Sequence, residues 1–319
     1  MRLVFFVGIS LSLLSACLNS AQEEKDRLSR DKVLTFRDQF FAVAAIGPDH
    51  VWIVGDLGII LHSSSGGKRW IEQESGTNKS LLGVDFVDPA YGWLVGDSGL
   101  ILHTSDGGSR WQQQMSGTER RLMSVDFFDT QQGLASGVFG TILRTVDGGE
   151  TWDDHSLDED VVLNKVVFIS GTKGWIVGEF GTILKTLDGG LTWIRQNSSI
   201  QNASLFGVSF MNEEEGWAVG QDGVVLFTRD GGDHWQRYSE KFSKSLFEVV
   251  VSRQRSYIVG ADGLVLERHG DWKLSDRIIS FSWLRGIAMS GKTGWMVGDR
   301  GMILKTADHG ESWVFVTPK

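Results

Sequence analysis

The stretch Gly174-Trp175-Ile176-Val177-Gly178-Glu179-Phe180-Gly181-Thr182-Ile183-Leu184-Lys185-Thr186-Leu187-Asp188-Gly189-Gly190-Leu191-Thr192-Trp193 states the unit from which this chain is built. Reduced to Gly-Trp-x-Val-Gly-x-x-Gly-x-Ile-Leu-x-Thr-x-Asp-Gly-Gly-x-x-Trp, it is written seven times. Aligned on the glycine that closes each Val-Gly pair or its equivalent, the copies fall at Gly55, Gly96, Gly137, Gly178, Gly220, Gly260 and Gly298, separated by 41, 41, 41, 42, 40 and 38 residues. A period near forty, with short apolar runs between turn signals, marks a propeller blade; a helical solenoid would show a 3.6-residue pattern that is missing here. The count predicts an all-β fold, a seven-bladed β-propeller of four-stranded antiparallel blades over residues 36–319.

The second copy shows how one unit makes one blade. Leu81 to Phe86 reads as the innermost strand, Gly92 to Gly96 as the second, Leu100 to Thr104 as the third and Arg110 to Gln113 as the outer one. The runs are more apolar than simple alternation requires because each blade is covered on both faces by its neighbours. In Gly96-Asp97-Ser98-Gly99 and its equivalents, two residues between glycines read as a hairpin turn. Trp52, Trp93, Trp175, Trp217 and Trp295 hold the Gly-Trp position, with Leu134 and Tyr257 in the other two copies. Trp70, Trp111, Trp152, Trp193, Trp235 and Trp313 hold the outer-strand position, and Trp272 is displaced in an irregular sixth copy. Twelve of the 13 Trp thus read as packing between blades, which leaves Trp283 outside the pattern.

Ahead of the repeats, Met1-Arg2, the apolar run Leu3 to Leu14 and Leu14-Ser15-Ala16-Cys17 have the zones of an export signal, expected over residues 1–16. The run is too short to stay as a spanning helix. Leu14-Ser15-Ala16-Cys17 resembles the lipobox of bacterial lipoproteins, so Cys17, the single cysteine, is the expected lipidation site. A lone cysteine also excludes an intrachain disulfide. Residues 17–35 read as the lipidated cysteine and a flexible polar tether. With 31 Lys plus Arg against 40 Asp plus Glu, the chain lacks the clustered cations of a nucleic-acid binder. An exported monomer, lipid-anchored and facing the periplasm or the thylakoid lumen, is the expectation.

Thr104-Ser105-Asp106-Gly107-Gly108-Ser109-Arg110-Trp111 recurs as Thr145 to Trp152, Thr186 to Trp193, Thr228 to Trp235 and Thr306 to Trp313. It resembles the Asp-box, or BNR repeat, of sialidases and related propellers. The physical role expected of Asp106, Asp147, Asp188, Asp230 and Asp308 is local: a short carboxylate accepts backbone N–H groups of its own turn. Ser65 replaces the Asp in copy one, and Arg268-His269-Gly270-Asp271-Trp272 has lost the box.

Lipobox, seven repeats and the linked Gly-Trp-x-Val-Gly and Asp-Gly-Gly-x-Thr-Trp strings together resemble the photosystem II stability and assembly factor family of cyanobacteria and chloroplasts, with its bacterial relatives. The resemblance covers about residues 36–319. It implies a non-catalytic lumenal or periplasmic scaffold that binds membrane-protein intermediates, either of photosystem II or of an envelope transporter. It also implies a basic patch on one face. Turns between second and third strands share a face with the loops that link blades, and there the chain places Asp56, Asp97, Glu179, Asp222, Asp262 and Asp299 as an acidic ring. Arg120, Arg121, Arg285 and Arg300 are the candidate partner-binding cations, and Trp283 beside Arg285 is a candidate interface anchor, since Trp and Arg are enriched at hot spots.

The alternative function class is an Asp-box glycoside hydrolase of the sialidase type. Such chemistry needs a carboxylate pair about 5 Å apart, or a Tyr nucleophile with an arginine cluster. None of Tyr91, Tyr238 and Tyr257 falls on an innermost strand, and Phe36-Arg37-Asp38 lacks the Ile-Pro of the sialidase motif. No catalytic residue and no cofactor are assigned. His62 and His103 share one strand position, but Arg144, Lys185, Phe227, Glu267 and Lys305 fill it elsewhere, which reads as a strand residue and not a metal ligand.

Overall fold

The computed structural model describes residue 35 and residues 37–198, 200, 202–238, 242–275 and 282–316. The export signal, Cys17 and nearly all of the tether lie outside these residues. Seven antiparallel sheets of four strands follow one another, each drawn from one copy of the repeat. Blade 2 runs from inside to outside as Leu81–Phe86, Gly92–Gly96, Ile101–Thr104 and Gln112–Gln114. Its outer strand thus starts after Trp111, not before it.

Each blade packs on the next through an aromatic sandwich. The Gly-Trp indole of one blade lies flat on the phenylalanine that ends the next innermost strand: Trp52 on Phe86 at 3.6 Å, Trp93 on Phe127 at 3.5 Å and Trp175 on Phe210 at 3.6 Å between centroids. The far side of each phenylalanine meets the outer-position Trp edge-on, as in Phe86–Trp111, Phe127–Trp152 and Phe210–Trp235. Stacked and edge-on rings add to the area term that buries them.

The Asp-box turn caps this sandwich. Thr104 Oγ1 donates to Asp106 Oδ1 and accepts the Gly108 N–H, while the Arg110 N–H donates to the same carboxylate. The pattern repeats at Asp147, Asp188, Asp230 and Asp308. In blade 1, Ser63 and Ser65 accept the Gly67 and Arg69 N–H groups in its place. The residue after the Asp position then offers its carbonyl to the preceding blade. Trp52 Nε1 donates to Gly107 O at 3.2 Å, Trp93 Nε1 to Gly148 O at 3.0 Å and Trp175 Nε1 to Gly231 O at 3.1 Å. Where the indole is replaced, another donor comes: Arg144 Nε reaches Gly189 O at 2.8 Å and Tyr257 Oη reaches His309 O at 3.1 Å. Blade 6 has no box, and there the Arg268 guanidinium covers Trp217 at 4.9 Å while Tyr238 links Asp271 to the Trp272 N–H.

The ring closes by packing. Trp70 of blade 1 stands edge-on to Trp295 of blade 7 at 5.5 Å, and Lys305 Nζ donates to Gly66 O at 2.6 Å, the same carbonyl position used at the other seams. The innermost strands Phe40–Ile46 and Leu284–Ser290 lie side by side. Blade 7 takes its edge strand, Val314–Phe315, from its own copy. Of residues 33–36, just ahead of the ring, only Thr35 is described, and it is in no strand.

The turn between second and third strands is shifted by one residue from the sequence expectation. Gly96 is extended, and it is a glycine because an added Cβ would stand 2.1 Å from Ser80 O. The left-handed residues are Ser98 and Gly99, closed by the Leu100 N–H on Asp97 O, a primed two-residue turn. Repeated around the ring, this puts Leu57, Ser98, Phe139, Phe180, Asp222, Asp262 and Arg300 at left-handed turn tips.

Removing the middle ring of one sandwich should open a cavity that rigid neighbours do not refill. Phe127→Ala is expected to cost about 3 kcal/mol or more, read as a lower denaturation midpoint in urea, against little change for Asp153→Ala on the exposed outer strand.

Candidate functional site

All seven innermost strands carry a β-bulge at their second residue. In blade 2, Leu81 pairs with Gly96 and Gly83 with Val95, so Leu82 is left over; the same slip occurs in every blade. A bulge re-aims its side chain. The seven left-over residues, Phe41, Leu82, Met123, Asn164, Phe206, Phe247 and Arg285, all line a central channel whose cavity is about 600 Å³. Five of the seven are apolar. They stand at the end of the channel shared with the left-handed turns and the blade-linking loops, and form its mouth.

Within the mouth, the aromatics gather around blades 5, 6, 7 and 1. Phe206 meets Phe247 at 5.9 Å, and Phe247 meets Trp283 at 5.4 Å. The Arg285 guanidinium sits among Trp283, Phe41 and Phe247, at 5.2, 5.6 and 5.7 Å from their ring centres. Asp299 accepts Arg285 Nε at 2.6 Å and Nη2 at 3.4 Å. A guanidinium carries five N–H donors, so this pairing leaves others over on a residue that lines the cavity. Trp283 itself is 41% exposed, with its indole N–H on Asp262 Oδ1.

The next residue along each innermost strand is small in five blades: Ala42, Gly83, Ser124, Gly207 and Gly286. The exceptions are Lys165 in blade 4 and Glu248 in blade 6, which reach over blade 5 and pair at 2.6 Å. Gly207 makes room for them, since a Cβ there would come within 3.0 Å of the Glu248 carboxylate. Deeper still, Asp85 accepts the Phe127 N–H at 2.7 Å and Asp126 the Phe168 N–H at 2.8 Å, tying each innermost strand to the next. Burial pushes the Asp85 carboxyl up to about 6, against the pull of the Phe127 and Phe86 N–H groups. Burial and the neighbouring Asp85 raise Asp126 well above the usual carboxylate range. Burial alone would depress the Lys165 ammonium, but Glu248, with Asp126 and Asp85 behind it, holds it above its ordinary value.

Of the five residues singled out in the sequence, the structure brings together Trp283 and Arg285. Arg121 lines the same cavity from blade 3, paired with Asp97 at 2.5 Å. Arg120 turns away, its guanidinium 5.9 Å from the Phe139 ring, and Arg300 stands exposed at a left-handed tip. The basic patch is therefore divided, with two of its arginines paired to carboxylates. The acidic ring is also divided. Asp56, Asp97, Glu179 and Asp299 open their turns and accept Ser80 Oγ, Arg121, the Val162 N–H and Arg285, whereas Asp222 and Asp262 stand at tips. Phe41, Phe206 and Phe247 carry no motif of their own, although aligning the seven copies places each one residue after the large apolar residue, Phe40 or a leucine, that opens each innermost strand.

Two histidines outside the channel pack against indoles. His62 and His103 stack on Trp52 and Trp93 at 4.6 and 4.9 Å. Burial and the nearby His50 lower His62 to about 4, and burial lowers His103. Tyr257 is buried in a seam, and neither Tyr91 nor Tyr238 lines the channel. Two of the Asp-box carboxyls are held low: Asp188 at about 2 by the hydroxyl and N–H of Thr192, and Asp230 at about 2 by the His234 N–H.

Asp85 gives a signed pH dependence. Its folded value lies above the unfolded one, so its contribution is fully present below about pH 4 and is lost as pH rises through about 6. Asp85→Asn, which keeps an acceptor for Phe127, is expected to match the parent near pH 4 and to melt higher than the parent at pH 8, in paired thermal scans.

The family model described as photosynthesis system II assembly factor YCF48 matches residues 69–160, 111–195 and 156–246, more than half of the chain when taken together. No curated protein matches. Among solved structures, one described as YCF48 bound to D1 peptide superposes with a TM-score of 0.72 at 19% identity, over 86% of this chain and 95% of that one. YCF48 from Cyanidioschyzon merolae follows at 0.71 and 17%, over 86% and 97%. A virginiamycin B lyase from Staphylococcus aureus reaches 0.73 at 12%, over 86% and 97%. At these identities the superpositions carry the fold and none of the relatives' chemistry. The family rests on the repeat sequence itself, and by that match the chain belongs to the family of photosynthesis system II assembly factor YCF48.

Proposed function

We propose that this protein is an exported, lipid-anchored and non-catalytic scaffold that holds a peptide segment of a membrane-protein subunit in the mouth of its channel during assembly of the complex. The observation that carries this reading is the ring of seven bulges, which spends five apolar side chains and the Trp283–Arg285 pair on a solvent-reached opening. Apolar anchors with a partly satisfied arginine among them have the make-up of a binding hot spot. Arg285 offers donors to a peptide carbonyl or carboxylate, Arg121 a second cation across the mouth, and Arg120 and Arg300 flank it. Family membership supports a photosystem II intermediate as the source of the peptide, and the D1 peptide held by one relative is of the class expected here. Components of an envelope transporter are the second candidate.

Support for a non-catalytic role comes from how the channel carboxylates are spent. Asp85 and Asp126 accept backbone N–H groups of the next blade, and Glu248 is taken by Lys165. Among the described residues, each of these three channel carboxyls is thereby engaged by a group of the protein itself.

Trp283→Ala with Arg285→Ala is expected to weaken capture of partners from solubilised membranes by about ten-fold or more, with the thermal transition nearly unmoved. Mass spectrometry of the captured material then decides between photosystem II reaction-centre precursors and transporter components; retention of nothing membrane-derived would overturn the scaffold reading. For the anchor, the mature chain isolated from membranes should begin at Cys17 and carry the added mass of a diacylglyceryl group, and Cys17→Ser should release it into the soluble fraction.

A further inference from the structure

The turn tips that share the face of the channel mouth pose a problem of their own. A left-handed residue with a bulky side chain is strained, and Asn, Asp or Gly is what such a position favours. Blades 5 and 6 follow that rule with Asp222 and Asp262. Blades 1, 3, 4 and 7 break it with Leu57, Phe139, Phe180 and Arg300, of which the first three, at φ of 55°, 54° and 55°, are apolar. The same three side chains are 75%, 51% and 65% exposed, so packing does not offset the strain. Strain held without a folding benefit points to use.

We propose that Leu57, Phe139 and Phe180 are shallow membrane-insertion points that set the mouth of the channel against a lipid bilayer. Three observations favour lipid over a protein partner. The tips are apolar points on separate blades, with Ser98 between two of them, which suits independent insertion among headgroups; a protein interface is expected to have a continuous dry core. Arg120 lies 5.9 Å from the Phe139 ring, a cation and an aromatic together as at a membrane–water interface. The chain also enters the ring on this face: Phe40 opens its innermost strand opposite Gly55 at the turn end, and Asp38 O accepts the N–H of Gly301 in the blade 7 turn. Only seventeen residues of sequence, 18–34, separate that entry from Cys17. An anchored Cys17 would thus keep this face at the membrane. That last argument rests on the anchor proposed above, while the first two do not, and the test leaves the anchor out.

The ring from residue 35 onward closes on its own strands, so it serves as the unlipidated probe. It is expected to co-sediment with vesicles of phosphatidylcholine and phosphatidylglycerol, and to keep doing so in high salt, because the contact is apolar and the chain is acidic. The triple variant Leu57→Asn, Phe139→Asn, Phe180→Asn should lose about ten-fold or more in vesicle partition. Its thermal midpoint should hold or rise, since Asn accepts the left-handed conformation more readily than Leu or Phe. A second variant, Phe139→Leu with Phe180→Leu, should retain the partition. The proposal is overturned if parent and triple variant sediment alike, if neither binds vesicles, or if high salt abolishes the parent's binding. Loss of peptide capture by the triple variant with vesicle binding intact would assign the tips to a protein interface instead. Loss of vesicle binding with capture of solubilised partners intact supports the lipid contact and separates it from the function of the mouth.

Discussion

The contact on which the ring depends is the seam between blades, where an indole lies flat on a phenylalanine of the next blade and its N–H is received by a turn carbonyl of that same blade. The turn must be rigid to hold that carbonyl in place. The Asp-box supplies the rigidity with a carboxylate and a threonine hydroxyl that accept the N–H groups of their own loop. The motif therefore acts between blades as much as within one. Every copy that keeps the turn has its carbonyl satisfied from the preceding blade, by indole, guanidinium, phenol or ammonium. That four different donors reach one acceptor position shows that the constraint is to satisfy a carbonyl held in the seam, with the choice of tryptophan secondary.

Channel chemistry follows from the same geometry. Seven strands meeting at a narrow axis force small residues at the third position, and the two long side chains found there must find each other over a glycine. The bulge one residue earlier is the ring's release from this crowding. It turns one side chain per blade toward the opening, and the opposing Val-Gly glycine exists because the carbonyl of the residue just before the innermost strand occupies the space of its Cβ. The glycine most visible in the repeat is thus a companion of the channel mouth and not of the hairpin turn.

The blade count, the strand order, the packing role of twelve tryptophans and the local role of the Asp-box were legible in the sequence because they are periodic. Each copy repeats the same local conflict and resolves it in the same way. The pairing of Trp283 with Arg285 was also legible, since both fall near the start of one innermost strand and Trp283 lies outside the repeat. Less of the site was readable. Phe41, Phe206 and Phe247 look like ordinary strand hydrophobics, and only the bulge register shows that they leave the core. The single acidic ring and the single basic patch dissolved because a one-residue shift in the turn separates engaged carboxylates from tip residues, and because Asp97 and Asp299 neutralise two of the arginines.

The sequence by itself determined how many blades there are, what each strand and turn is made of and that seven such units need one another, because those properties lie within forty residues of chain. Tertiary structure decided which residues from distant copies share a surface: Lys165 with Glu248 across blade 5, Phe247 and Phe41 around Arg285, and three apolar tips on one face. The physical reason is closure. Bending seven sheets into a ring gives equivalent positions a common axis, and only then do the places where the copies differ become a site.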